Sequence, residues 1–295
     1  MKFENIRVMN FKNALRGMRN PKESYHLIDS VFGLGDIEWC EKDYDITENW
    51  LEYLGVDDEN PKERDEMFAK VDNWLIKNGI LYKEEDLFEY AFIGPKDMKL
   101  AQQLIRGGSE HRKFLRQIFI SVDITAPLYW WKEFDTYKVG TTANSTSTMH
   151  TICNKPITID CFEIDDFTNI EYPPELQRPE VKSLCDSDFV QMALIPYLEY
   201  LRQMYVETRD IKYWKELIRW LPESWLQTRT ITMNYENLLA ICKQRRYHKL
   251  NEWTGDKTPV DDSFLQFARA LPYAQEFIFL DEYIEGTTFP AVDFK

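Results

Sequence analysis

The sequence contains few of the residues that build disulfide frameworks and zinc sites. Among 295 residues there are five cysteines and four histidines, and no Cys-x-x-Cys spacing occurs. An odd number of scattered cysteines is typical of reduced thiols rather than of a disulfide-bonded secreted domain. The histidines form neither a His-x-x-x-His spacing nor a Ser-His-Asp order. The sequence therefore predicts no metal site and no hydrolase triad.

Long apolar runs and an excess of positive charge are also missing. No stretch of 18 apolar residues occurs, and the first 17 residues lack the apolar segment of a signal peptide. We therefore expect a cytoplasmic protein with no membrane partner. The net charge of −14 and the pI near 4.9 argue against a nucleic-acid partner, which needs a broad basic surface. A mononucleotide needs only a few local cations, so it stays possible as a ligand.

Apolar and aromatic residues are abundant, at 44% and 15% of the sequence, and they exclude a disordered chain. We expect a single domain over residues 1–295, with an acidic loop or insertion at about 154–186. Helical patterns outnumber strand patterns, and the two do not alternate strictly. This mixture predicts the α+β class.

Apolar periodicity and capping residues predict the individual elements. Strands are predicted over 3–11 and 118–124, and short strands or irregular structure over 80–93. Helices are predicted over 61–79, 95–106, 126–137, 187–205, 212–220, 234–246 and 263–278, with the last interrupted by Pro272. Thr125 and Ser187 are the expected N-caps of the helices that follow them.

An aromatic helix that runs into a loop of small polar residues is the most informative segment. Trp130 and Phe134 share one helical face and are expected to be buried, although Trp130 and Trp131 could instead stack on a ligand ring. After Gly140, seven hydroxyl side chains lie between residues 141 and 151. Such a loop can offer backbone N–H groups and hydroxyls to an anion, or it can be a solvated turn.

Residues 137–150 carry a recognisable order of side chains. They resemble the signature motif of flavin-dependent thymidylate synthases, Arg-His-Arg-x-x-Ser-x-Asn-Glu-x-Ser-x-Arg-Tyr. Laid over the motif without gaps, Asn144 falls on the motif Asn and Ser147 on the second Ser. Thr142 replaces the first Ser, and His150 stands where the motif has Tyr.

The same window departs from the family at its charged positions. Tyr137, Lys138 and Val139 replace Arg-His-Arg, and a one-residue shift puts Lys138 on the second Arg. Ser145 replaces the Glu, and Met149 replaces the last Arg. Lysine is a point charge and does not reproduce the bidentate fork of arginine. The resemblance extends to the flanks, at residues 99–111, 119–124, 221–222, 230–234 and 238–245.

The resemblance implies a fold, an activity and a set of partners. The fold would be α+β, with a central, mostly antiparallel sheet flanked by helices. The activity would be methylation of dUMP to dTMP, with methylenetetrahydrofolate as carbon donor, FAD as cofactor and NADPH as reductant, in a homotetramer. Another modification of a pyrimidine nucleotide is a related possibility. The alternative is a non-catalytic nucleotide-binding protein on the same fold that has lost the flavin.

The resemblance also assigns candidate residues, although it assigns no catalytic residue. The candidate substrate-binding residues are Arg245, Ser147, Asn144 and Ser145. The candidate cofactor-binding residues are Lys138, Tyr137, Thr142, Lys249 and His111. From the residues alone, the basic cluster at 245–249 could equally be a helix C-terminus that suits the macrodipole. The acidic run at 160–166 could bind a cation but is typical of a solvated loop.

Overall fold

The computed structural model describes residues 1–34, 89–164, 186–255 and 263–282. The predicted helix at 61–79 lies outside these ranges, as does most of the predicted acidic loop. The chain forms two compact units, which are described in turn. Unit 1 comprises Met1–Lys2, Asp123–Thr136 and Ala143–Thr230, and unit 2 comprises Phe3–Val122, Tyr137–Thr142 and Ile231–Lys295. A single domain over 1–295 stays a prediction.

The strands of the described residues form two sheets. They are β1 (Lys2–Met9), β2 (Val31–Leu34), β3 (Glu89–Phe92), β4 (Phe119–Pro127), β5 (Thr142–Ser145) and β6 (Leu226–Asn234). An antiparallel four-stranded sheet has the order β1-β4-β6-β5, so β5 is an edge strand. β2 and β3 pair antiparallel, with Val31 opposite Phe92. This sheet with its flanking helices confirms the predicted α+β class.

The helices of the described ranges follow the strands closely along the chain. They are α1 (Phe11–Met18), α2 (Pro95–Arg106), α3 (Leu128–Phe134), α4 (Thr148–Thr151), α5 (Asp186–Phe189), α6 (Ile195–Thr208), α7 (Ile211–Arg219), α8 (Tyr235–Arg245), α9 (Asn251–Thr254), α10 (Phe264–Arg269) and α11 (Ala274–Phe277). A π-helical turn, Val190–Leu194, joins α5 to α6. The predictions of α2, α7 and α8 are confirmed to within a residue or two.

Several predicted boundaries were wrong. Thr125 does not cap a helix: it lies in β4, and its hydroxyl is 2.7 Å from that of Thr228. Pro127, the last residue of β4, takes the N-cap position instead: its backbone is still extended, with ψ of 154°, and α3 begins at the next residue. The predicted N-cap Ser187 lies within α5. β6 was not predicted, because its many polar residues conceal a strand whose buried positions are Ile231 and Met233.

One buried cluster of unit 1 lies between α6, α7 and the chain that follows α4. It contains six buried side chains: Ile152, Ile157, Phe162, Leu198, Leu201 and Leu217. At its edge the Glu199 carboxylate accepts hydrogen bonds from Arg202 and from the amide of Ile157. These bonds, chiefly those from Arg202, hold the pKa of Glu199 at about 2.

The core of unit 2 is rich in aromatic rings. Phe264 lies 5.3 Å from Trp253, and Phe11 lies 5.8 Å from both Tyr235 and Tyr273, measured between ring centroids. The Tyr235 hydroxyl donates to the carbonyl of Pro272 at 2.6 Å. Glu276 of α11 is only 3% exposed, and burial raises the pKa of its carboxyl. Within the described ranges its Oε1 atom has no hydrogen-bond partner.

Candidate functional site

In unit 1 the segment that resembles the signature motif forms a strand and a turn. Asn144 and Ser145 are exposed on the edge strand β5, so the predicted loop over 140–147 is wrong for its middle residues. Ser147 follows and precedes α4. Its Oγ atom lies 2.6 Å from Nδ1 of His150, and both side chains are exposed. Ser147 and His150 therefore present a hydroxyl and an imidazole together at the surface of this unit.

A chain of polar contacts from β6 holds this turn. The Gln227 amide donates to the carbonyl of Thr146 at 2.9 Å, and the Thr146 N–H donates to the carbonyl of Thr228 at 2.9 Å. Arg229 Nε in turn donates to Gln227 Oε1 at 3.0 Å. The backbone of Thr146, next to Ser147, is thus held by β6 at both its N–H and its carbonyl.

Arg229 itself is held by a carboxylate and a ring. Its Nη1 lies 2.7 Å from Asp135 Oδ1, and its guanidinium carbon lies 4.2 Å from the centroid of Trp131. Neither Gln227 nor Arg229 was predicted from the sequence as a functional residue. Their spacing of two residues, which puts both side chains on one face of a strand, was the available signal.

In unit 2 Arg245 lies at the last position of α8, against two aromatic rings. Its guanidinium carbon is 4.8 Å from the Trp253 centroid and 5.4 Å from the Tyr137 centroid. Arg245 Nε donates to the Tyr137 hydroxyl at 2.8 Å, and this hydroxyl donates to Gln244 Oε1 at 3.2 Å. The structure thus joins a predicted substrate residue, Arg245, to a predicted cofactor residue, Tyr137.

The segment that leaves Tyr137 is also attached to the start of α8. Asn237 Nδ2 donates to the carbonyl of Val139 at 2.6 Å. The next residue, Gly140, has φ +80°, and a Cβ atom there would lie 2.7 Å from Asn237 Oδ1. A side chain at this position would meet both backbone strain and a collision. Asn234 and Asn237 form a capping box at the start of the helix.

The other candidates in unit 2 are surface residues. Lys138, Thr142, Lys249 and His111 are all exposed. The amide of His111 donates to the carbonyl of Gly108, which places it in a turn after α2. Arg246, a member of the basic cluster, instead forms ion pairs with Asp281 and Glu282 at 2.9 and 2.8 Å.

Burial decides one of the open alternatives. Trp130 and Trp131 are 0% and 1% exposed and belong to the core rather than to a ligand surface. Glu163 of the acidic run lies 3.5 Å from the amino terminus of Met1. The described part of the chain contains no cluster of three or more metal-ligating side chains. Nor does any of its helices have the length and hydrophobicity needed to cross a bilayer.

No protein-family model and no curated protein sequence matches the chain. Solved structures do match it. A thymidylate synthase X (ThyX) from Helicobacter pylori, solved with FAD and dUMP, superposes with a TM-score of 0.50 at 14% identity. The match covers 95% of this chain and 98% of that one. The chain therefore has the fold of a flavin-dependent thymidylate synthase.

Two further structures match over a smaller part of the chain. A second flavin-dependent ThyX structure from Helicobacter pylori, also with FAD and dUMP, gives a TM-score of 0.43 at 18% identity, covering 64% of this chain and 84% of that one. A UMP/dUMP methylase, PolB from Streptomyces cacaoi bound with 5-Br dUMP, gives 0.39 at 15% identity, covering 64% and 81%.

Proposed function

We propose that the chain binds dUMP or another pyrimidine nucleotide and modifies its base. The reaction we favour is methylation of dUMP to dTMP with methylenetetrahydrofolate and NADPH in a homotetramer. The observation that carries the proposal is Arg245 held against Trp253 and Tyr137 on a ThyX fold. A guanidinium fixed in this way suits a nucleotide oxyanion. Asn144, Ser145 and Ser147 are the proposed polar contacts of the nucleotide.

The proposed cofactor is FAD, which when bound would carry the hydride of the reaction. The exposed ammonium groups of Lys138 and Lys249 and the exposed Thr142 hydroxyl match the donors that a pyrophosphate needs. Lysines replace the arginine fork here, so we expect FAD to bind more weakly than to an arginine-based site. His111 is a further exposed candidate on the flavin side.

A second function, non-catalytic nucleotide binding on the same fold, is favoured by one observation. Tyr137 stands where the family has an arginine, and its hydroxyl is hydrogen-bonded to Arg245 and Gln244. A phenol in that position adds no positive charge for a pyrophosphate. The nucleotide site would then persist without the flavin.

Titration of the purified protein with FAD separates the two functions. The enzyme should stay yellow after free FAD has been removed, and Lys138→Ala should weaken FAD binding, whereas Lys99→Ala, which changes an exposed lysine of α2, should not. Conversion of dUMP to dTMP in the presence of FAD, methylenetetrahydrofolate and NADPH, followed by mass spectrometry, tests the reaction. A protein that binds dUMP but takes up no FAD supports the non-catalytic function. Nanomolar FAD binding unchanged by Lys138→Ala would show that the proposed flavin position is wrong.

A further inference from the structure

The exposed side chains of Ser147 and His150 are brought together by the backbone of the turn that carries them. The Ser147 carbonyl accepts hydrogen bonds from the N–H groups of His150 and Thr151, at 3.1 and 3.0 Å, and from the Thr151 hydroxyl at 2.9 Å. On the other side of Ser147, the backbone of Thr146 is held by β6. The distance of 2.6 Å between Ser147 Oγ and His150 Nδ1 is therefore supported by a backbone that is held on both sides of Ser147.

The charge of the imidazole decides which atom donates in this hydrogen bond. A neutral imidazole that carries its proton on Nε2 accepts at Nδ1, so the Ser147 hydroxyl donates its single proton to His150. An imidazolium carries protons on both nitrogens, so Nδ1 donates and Ser147 Oγ accepts. The hydroxyl proton of Ser147 is then available to a ligand. Protonation of His150 therefore changes Ser147 from an acceptor into a donor towards a ligand.

The elements that contact this turn carry no second side chain of the kind that titrates near neutral pH. β6 holds Thr146, and α7 contacts the turn through Trp214, whose Nε1 donates to the Met149 carbonyl at 3.4 Å. The charged side chains of these two elements are Arg229 on β6 and Lys212, Lys215, Glu216 and Arg219 on α7. Three of them form ion pairs: Arg229 with Asp135, Lys212 with Asp210 and Arg219 with Glu216. Side chains of these types ordinarily keep their charge between about pH 5.5 and 8, whereas histidine changes its charge there.

We infer that His150 is a positioning residue that turns the Ser147 hydroxyl into a donor to the nucleotide when the imidazole is charged. This inference rests on the proposed function, which places Ser147 against the nucleotide. The phosphate and the pyrimidine carbonyls of a nucleotide present acceptor oxygens, so a donor hydroxyl binds them better than an acceptor does. The device belongs to this chain, because the signature motif has tyrosine where His150 stands, and a phenol stays neutral over this pH range.

His150→Gln tests the inference, because an amide is neutral at every pH. Binding of dUMP is measured by calorimetry between about pH 5.5 and 8, the range in which histidine titrates. The phosphate of dUMP also titrates there, but it does so with both proteins and cancels in the ratio of their affinities. The affinity of the native protein relative to His150→Gln should rise about fivefold towards the acidic end, the effect of one hydrogen bond. The matched control is His26→Gln, at an exposed histidine of unit 2, which should keep the native pH dependence.

Ser147→Ala shows whether His150 acts through the hydroxyl. In the Ser147→Ala protein no hydroxyl remains to change its role, so adding His150→Gln should leave the pH dependence of dUMP binding unchanged. A pH dependence that still differs between these two proteins would mean that the imidazolium attracts the nucleotide directly. That result would overturn the positioning role. Circular dichroism at each pH establishes that the compared variants are folded.

The outcomes separate this inference from the proposed function. If the native protein binds no pyrimidine nucleotide at any pH, the proposed function fails and the inference fails with it. If the native protein binds dUMP and His150→Gln shows the same pH dependence, only the inference is overturned. A relative affinity that falls towards acidic pH would also overturn it, because Ser147 would then serve the nucleotide as an acceptor.

Discussion

Each unit contains an arginine that lies over a tryptophan ring, and the two differ in their polar partner. In unit 1 Arg229 lies 4.2 Å from the Trp131 centroid and pairs with the carboxylate of Asp135. In unit 2 Arg245 lies 4.8 Å from the Trp253 centroid and donates to the phenol of Tyr137. A carboxylate neutralises a guanidinium, whereas a neutral phenol brings no negative charge to it. We therefore expect Arg229 to stabilise unit 1, whereas the proposed function assigns Arg245 to a ligand.

The largest effect should come from removing the ring beneath Arg229. Trp131 is 1% exposed, and its Nε1 donates to the carbonyl of Gln227. Trp131→Ala should lower the free energy of unfolding by about 3–5 kcal/mol, because it leaves a cavity and an unpaired carbonyl. Denaturant unfolding measures this loss. Trp220→Ala is the control, since Trp220 is 55% exposed and should cost at most about 0.5 kcal/mol.

The next effect concerns the ligand rather than stability. Arg245→Ala should weaken binding of a pyrimidine nucleotide by about 1.5–3 kcal/mol, the range for a hydrogen bond to a charged group. Calorimetry on a variant whose circular dichroism matches the native protein measures it. Lys243→Ala, which removes an exposed charge from the same helix, should have little effect. Unchanged affinity in Arg245→Ala would remove this residue from the site and end the comparison.

Arg229→Ala should affect the stability of the protein rather than its affinity for a nucleotide. It should cost about 1–2 kcal/mol of stability, the sum expected for a partly exposed ion pair and a cation–π contact. Arg229→Lys should recover only part of this loss, because lysine keeps the charge but not the planar stack. Urea unfolding distinguishes the three proteins. A fully stable Arg229→Ala would show that the contact with Asp135 and Trp131 contributes nothing.

Opposite pKa shifts distinguish two glutamates. Glu199 is paired with Arg202, and its pKa is held at about 2, below the ordinary value of 4.5. The stability that it contributes is present above pH 4.5 and should be lost as the pH falls towards about 2. This contribution should be about 1 kcal/mol or less, because the pair lies near the surface. The free energy of unfolding of Glu199→Gln, measured as a function of pH, should lack this decrease at acidic pH.

The buried Glu276 should make the free energy of unfolding fall, rather than rise, as the pH increases. Burial raises the pKa of its carboxyl, so the folded protein keeps a proton that the unfolded chain releases. Its contribution to stability is therefore complete below the unfolded pKa and is lost as the pH rises towards the folded pKa. Measured from pH 4 upwards, the free energy of unfolding should change less with pH for Glu276→Gln than for the native protein. Glu110→Gln, at an exposed position, should behave like the native protein.

The elements that local sequence specifies were the ones predicted well. α2 has a proline in its first turn and is followed by Gly107, so residues at its two ends predict where the helix begins and ends. The burial of Trp130 and Phe134 followed from helical spacing and is confirmed. β6 was missed, because what makes Leu226–Asn234 a strand is its pairing with β4 and β5 rather than its own composition.

Contacts between residues far apart in the chain explain why parts of the candidate site could not be predicted from the sequence. Arg246 belongs to the basic cluster at 245–249, yet its partners Asp281 and Glu282 lie 35 and 36 positions away in the chain. Tyr137 and Arg245 are 108 positions apart, so no local pattern predicts their hydrogen bond. The family spacing indicated Arg245 as a candidate. It carried no information about Trp253, which forms the surface beneath it.

The attachment of residues 137–140 to both ends of α8 fixes how many residues this segment can contain. One attachment is at Asn237 and the other is at Gln244 and Arg245, two helical turns away. A helix advances about 1.5 Å per residue and an extended chain about 3.3 Å. One residue inserted between Tyr137 and Val139 must therefore bulge outwards or release one attachment. The spacing of the two attachment points on α8 limits the length of residues 137–140. Inserting or deleting a residue in this segment should therefore be more damaging than replacing a side chain.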